Sequence, residues 1–380
     1  EKDLLEIEVE RILNNMTIEE KIGQLFIIAV RNSFNNTRML HADEYMRNII
    51  NVYKPGGIIL FTVNFDTPEQ TRDLIRETQL MSEIPLFFAV DEEGGNVARL
   101  GNSERMSVTL IPPAAVIGRT NKTEYAAMAS KVISSELKAL GFNMNMAPVA
   151  DVNTNIHNQV IGNRTYSQDP FEAGKMVAAV TEAMNEENMI SVLKHFPGHG
   201  DTDADTHVGE VILNHNKERL ERIEFIPFKM GISAGADAIM IAHIKVPLVS
   251  LSDLPATMSS VLLQDILRDE LGFNGIIITD AMDMGAIKNN WSADEAAINA
   301  FIAGVDIILM PTSLKKATEG IGKALDNKVI SLERINESVR RILRVKIKRG
   351  LFSKKNRGSD DLKSILGSED HKNIIKTITE

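Results

Sequence analysis

The chain has 380 residues, of which 43% are hydrophobic and 25% charged, with no cysteine and a formal net charge of −10. Such a composition belongs to a folded globular domain, and the missing cysteines exclude disulfides, thiol nucleophiles and cysteine metal sites. The negative balance argues against nucleic acid as a partner, because phosphate neutralisation needs clustered Lys and Arg; it suits an uncharged or weakly charged small ligand.

No apolar run approaches the roughly 18 residues required to cross a bilayer, so no transmembrane segment is expected. The first residue is Glu1 rather than Met. Together with a linker-like tail, this favours an exported protein, extracellular or in the cell envelope, over a cytoplasmic one.

In chain order, Thr17-Ile18-Glu19-Glu20 forms a capping box that opens the segment toward Leu25. Eight short runs rich in Ile, Val, Phe and Met then recur at 23–30, 57–61, 86–91, 142–149, 189–195, 236–243, 275–280 and 305–310. Their hydrophobicity is continuous rather than alternating, as expected of parallel strands buried on both faces. Helices are predicted between them. Thr67-Pro68 opens 69–81 and Asp169-Pro170 opens 171–187, each pairing an N-cap residue with proline in the first turn. Gly141, Gly235, Gly272 and Gly304 stand just before strands, as left-handed helix C-caps.

Eight strand–helix alternations predict an α/β protein, a (β/α)8 barrel of the TIM type. A doubly wound open sheet competes with it. The barrel is preferred because polar residues follow many strands rather than gathering at one switch point. After the eighth strand the pattern gives helices at 314–327 and 332–348, a polar break at 353–361 and a short helix at 370–379. Residues 1–352 are therefore read as one barrel domain, and 353–380 as a linker or docking tail.

In such a barrel, function lies at the C-terminal ends of the strands. Those positions carry Asp91, Asp151, Lys194-His195, His243 and Asp280. The densest segment is Lys194 to His207, with three His, three Asp and one Lys in 14 residues, out of only 8 His in the chain. A solvated polar loop rarely concentrates imidazoles so heavily. A metal site using His199 and His207 is the sharper competitor. The neighbouring Lys194 and the Asp205-x-His207 spacing favour instead a carboxylate that orients an imidazole for proton transfer. Asp280 leaves the dry run 276–279, where a carboxylate can attack an anomeric carbon. Asp283, one turn further on, is expected to cap the next helix.

Taken together, these segments resemble glycoside hydrolase family 3, in its β-N-acetylglucosaminidase branch. The run Lys-His-Phe-Pro-Gly-His-Gly-Asp-Thr-x-x-Asp-Thr-His at 194–207 carries most of the resemblance. It is supported by Val90-Asp91-Glu92-Glu93-Gly94-Gly95, Ala147-Pro148-Val149-Ala150-Asp151, Gly162-Asn163-Arg164 and Thr279-Asp280-Ala281-Met282-Asp283.

The resemblance implies a retaining glycosidase with Asp280 as nucleophile and His207 as proton donor and base, assisted by Asp205. Asp91, Arg99, Arg164, Lys194 and His195 would hold the sugar. It implies no metal and no organic cofactor, and a substrate bearing terminal N-acetylglucosamine, such as a chitin oligomer or a muropeptide. Phosphorolysis by the same residues and non-catalytic sugar binding are the alternatives. The sequence departs from the family pattern at Asn96, often Arg in relatives, at Tyr166-Ser167, usually Phe-Gly, and after His207, where an expected proline is missing. In two-domain members, a segment like 365–371 leads into a second α/β domain.

Overall fold

The computed structural model describes residues 2–202, 206, 209–353 and 358–380. Eight strands form one parallel sheet: β1 (Phe26–Ala29), β2 (Gly57–Ile59), β3 (Phe87–Val90), β4 (Met144–Asn145), β5 (Ile190–Phe196), β6 (Ala238–Ile241), β7 (Ile276–Thr279) and β8 (Ile308–Leu309). Each falls within its predicted run, except that β5 extends one residue past His195. Neighbours pair in sequence order from β1 to β7, and β8 pairs with β1. A parallel bridge from Ile278 to Ile307 joins β7 to the approach of β8 and closes the ring. The order is that of a (β/α)8 barrel rather than an open sheet. Every residue of β2, β3 and β5 to β7 is buried, which is why these runs read as unbroken apolar stretches.

The helix starts follow their caps. Thr17 accepts from the Glu20 amide while the Glu20 carboxylate accepts from the Thr17 amide. Thr67 caps Pro68–Gln79, and Asp169 caps Pro170–Glu186. Gly141, Gly235, Gly272 and Gly304 all take positive φ, from 67° to 124°, where a β-carbon would be strained.

Closure also depends on a buried acid. Asp306, just before β8, accepts from the Ile277 amide of β7 at 2.9 Å and from Ser338 at 2.6 Å, and is ion-paired with Arg268 at 2.5 Å and Arg341 at 3.0 Å. Its surroundings outweigh the cost of burial and hold its carboxyl below the usual range. Replacing Asp306 by Asn should therefore strand Arg268 and lower stability by about 3–5 kcal/mol. Urea denaturation of the purified variant measures this; a loss under about 1 kcal/mol, the range of a single neutral hydrogen bond, would show the cluster to be incidental.

Beyond the barrel, Glu369–Thr379 forms the last helix, with Ile375 and Ile378 buried. Ser359 donates its amide to the Ala139 carbonyl, and His371 pairs with Glu136 at 2.9 Å. These contacts seat the tail against the helix Thr123–Ala139.

Candidate active site

The strand ends open onto a cavity of about 370 Å³. Asp91, Arg99, Arg164, Lys194, His195 and Asp280 all line it, so the structure brings six of the eight expected site residues together. Asp205 and His207 lie outside the described residues. Thr206, the neighbour of both, lines the cavity and accepts from the Ala286 amide.

One wall is built by a turn after β3. Asp91 is followed by a small hairpin, Glu92–Gly94 paired with Val97–Ala98. Gly94 and Gly95 take φ of 94° and 58° at its tip, a reversal that favours glycine. The hairpin brings Arg99 back so that its amide meets the Asp91 carbonyl and its guanidinium the Asp91 carboxylate at 3.4 Å. Asn145 of β4 holds the base with two bonds, accepting from the Glu92 amide and donating to the Glu92 carbonyl. The Glu92 carboxylate turns away from the cavity and takes the Leu100 and Gly101 amides. Burial pushes this carboxyl up to about 7.

Lys194 on β5 is the centre of the charge network. Its buried ammonium lies 2.9 Å from Asp91 and 2.5 Å from Glu93. Arg164, on the turn Gly162–Arg164, grips Glu93 with two bonds of 2.9 and 2.8 Å. Burial alone would raise the carboxyl of Asp91; the Lys194 and Arg99 charges outweigh it and hold the group at about 2. Two carboxylates and three cations are thereby fixed beside the cavity, with Lys194 and Glu93 the most buried of them.

His195 continues this wall. Its Nδ1 is 2.7 Å from Asp151, and its Nε2 stands 3.4 Å from Arg164. Asp151 also accepts the amides of His195 and His199, so one buried acid orients the whole turn. A β-carbon at Gly200 would run into the Val152 carbonyl, which explains glycine there.

Asp280 faces this network from the end of β7. Its amide donates to the Ile241 carbonyl, and its Oδ1 accepts from the Ala281 amide at 2.8 Å. Among the described residues its other oxygen has no hydrogen-bond partner. His243 does not line the cavity; it is buried beneath the turn, with Nε2 3.0 Å from the Ala281 carbonyl and Nδ1 3.1 Å from Thr257. It is therefore a support for the Asp280 turn rather than part of the wall.

Sequence reasoning passed over Glu93, although it stands in a segment already singled out, and named Asp151 only as a strand-end position without giving it a role. It misassigned Asp283. The helix Gly285–Lys288 starts without a side-chain cap, and Asp283 instead lies 3.7 Å from Arg31 beyond β1. Arg31 stacks over Phe61 and lines the cavity with it. Two buried polar atoms on the lining, Arg99 Nε and His199 Nε2, lack a partner among the described residues.

A pocket with fixed donors and acceptors and one carboxylate oxygen left open suits a neutral, hydroxyl-rich ligand. The family model described as glycosyl hydrolase family 3 N terminal domain matches residues 17–345. Beta-hexosaminidase A of Pseudoalteromonas piscicida is 34% identical over 331 residues, 80% of this chain and 55% of that protein. The chain thus spans little more than half the length of that relative. A beta-hexosaminidase of Nitrosomonas eutropha is 35% identical over 270 residues, 70% of this chain and 76% of that protein. Among solved structures, a glycoside hydrolase family 3 beta-N-acetylglucosaminidase from Paenibacillus sp. str. FPU-7 superposes with a TM-score of 0.87 at 33% identity, covering 96% of this chain and 68% of that one. With the family model matching most of the chain and relatives agreeing in sequence and fold, the chain belongs to glycosyl hydrolase family 3.

Proposed function

We propose that the chain is a retaining exo-β-N-acetylglucosaminidase. The observation that carries this reading is the Asp280 carboxylate, open on one oxygen, in the same cavity as the Asp91–Lys194–Glu93–Arg164 network. Relatives named as beta-hexosaminidases support the choice of sugar.

In the first step Asp280 attacks the anomeric carbon as the bond to the aglycone oxygen breaks. That oxygen takes a proton from His207, the imidazole being assisted by Asp205. In the second step His207 removes a proton from water, the water oxygen attacks the anomeric carbon, and the ester to Asp280 breaks. Asp91, Arg99, Arg164, Lys194 and His195 hold the hydroxyls, so the sugar arrives already oriented for attack. An imidazole acid carries no negative charge when deprotonated and does not repel an anionic nucleophile or an acidic aglycone. Peptidoglycan fragments and chitin oligomers are the natural substrates this reading implies.

Nitrophenyl β-glycosides of N-acetylglucosamine, glucose and N-acetylgalactosamine, each with and without phosphate, test it. The expected result is phosphate-independent hydrolysis of the N-acetylglucosaminide in preference to the other two. Release of sugar 1-phosphate, dependent on added phosphate, would replace hydrolysis by phosphorolysis. Binding of N-acetylglucosamine without turnover of any glycoside would reduce the chain to a sugar-binding protein.

A further inference from the structure

His199 has no part in the reaction just described, yet it lines the same cavity and is buried. Its ring is fixed on one side. Nδ1 stands 2.7 Å from the Thr202 hydroxyl, which in turn donates to the His199 carbonyl at 3.0 Å. The Asn158 amide nitrogen also approaches that hydroxyl oxygen, at 3.4 Å. A hydroxyl has one proton to give. The tautomer that goes with that proton on the carbonyl has Nδ1 donating to Thr202 and leaves Nε2 a lone pair.

The surroundings keep the imidazole neutral. Burial, followed by the neighbouring His195, lowers its affinity for a proton, against a smaller opposing pull from Asp151 and Asp280. The two rings meet edge to face, 5.9 Å between centroids. Among the described residues, Nε2 has no hydrogen-bond partner. A buried polar atom without a partner is costly, and native proteins keep few of them outside places where something else binds.

We propose that His199 Nε2 is a hydrogen-bond acceptor for one O–H or N–H of the sugar in the cleavage subsite, and so helps determine which sugar is accepted. Lys194, Arg99 and Arg164, which line the same cavity, are all donors. A ligand hydroxyl bonded by them still has a proton to place, and Nε2 is a neutral atom able to receive one. A sugar lacking the matching donor would leave this lone pair buried and unsatisfied, and would be rejected.

The proposal rests on the glycosidase reading, and its test separates the two. Wild type and His199→Phe are compared on the N-acetylglucosaminide and on analogues in which each ring hydroxyl in turn, or the acetamido group, is replaced by hydrogen. The expected loss in kcat/KM for His199→Phe on the full substrate is about ten- to thirty-fold, mainly through KM. On the one analogue lacking the paired donor, the substitution should cost nothing further. His199→Gln, whose amide oxygen can serve as acceptor, should recover part of the loss. Losses that multiply independently on every analogue overturn the proposal.

If His199→Phe fails to fold, ring nitrogen NMR on the wild-type protein decides. A free Nε2 lone pair that shifts on binding N-acetylglucosamine supports the acceptor, whereas a protonated Nε2 or an unmoved signal rejects it. Wild type that neither cleaves the glycoside nor binds the sugar defeats the functional reading itself. Wild type that does both without coupling to His199 defeats only this inference.

Discussion

Asp280→Asn is expected to lower kcat by on the order of 10⁴-fold or more while leaving sugar binding measurable. The amide keeps the size and the local hydrogen bond of the carboxylate, whose Oδ1 accepts only from the Ala281 amide next to it. What it loses is the charged oxygen that, in the proposed mechanism, forms the ester. Stability should hardly change, because no ion pair to Asp280 exists among the described residues. Equal Tm values together with collapsed kcat would distinguish a chemical role from a structural one. Asp280→Ala with azide sharpens the test. Azide entering from the vacated face would displace an activated aglycone and yield the α-glycosyl azide. An Asp280→Asn variant that keeps a tenth of wild-type turnover would remove Asp280 from the chemistry and the retaining mechanism with it.

The barrel was legible in the sequence because parallel strands buried on both faces leave an unmistakable pattern, eight apolar runs separated by capped helices. Thr17, Thr67 and Asp169 were readable as caps since a cap is a local event, settled by residues within one turn. The cavity residues were readable where they stand at a strand's end, as Asp91, Lys194 and Asp280 do. Glu93 was not, because its role comes from Lys194 and Arg164, which are 101 and 71 residues away. Asp283 shows the same limit from the other side. Its position before a helix offers a local partner, but Arg31, remote in sequence, is nearer and charged. His243 stands at a strand end and still serves from beneath, since burial under the Asp280 turn depends on how loops close over the barrel mouth. Pairing across the barrel is a tertiary fact, and spacing along the chain carries little of it.

Lys194→Met carries the second large effect, and here stability and activity fall together. The ammonium is the cation shared by Asp91 and Glu93, and all three groups are buried or nearly so. Without it two carboxylates face each other with Arg99 and Arg164 left to offset them, and burial, now less opposed, raises both carboxyls. Removing one partner of a buried ion cluster costs about 3–5 kcal/mol, and on the proposed reading the sugar loses a donor at the same time. The sign of the pH dependence follows from Asp91. In the wild type its carboxyl falls from an ordinary 3.8 to about 2, so its share of stability, roughly 2 kcal/mol, is present above pH 4 and is lost as pH falls toward 2. In the variant the folded carboxyls lie above their unfolded values, so stability declines as pH rises and they are forced to ionise. The gap between the two proteins should therefore be widest at neutral pH and narrow on acidification, a trend that urea denaturation at pH 7 and pH 4.5 would reveal. A gap that stays constant with pH would mean that Lys194 acts by filling space, and the electrostatic account of this wall would have to be abandoned.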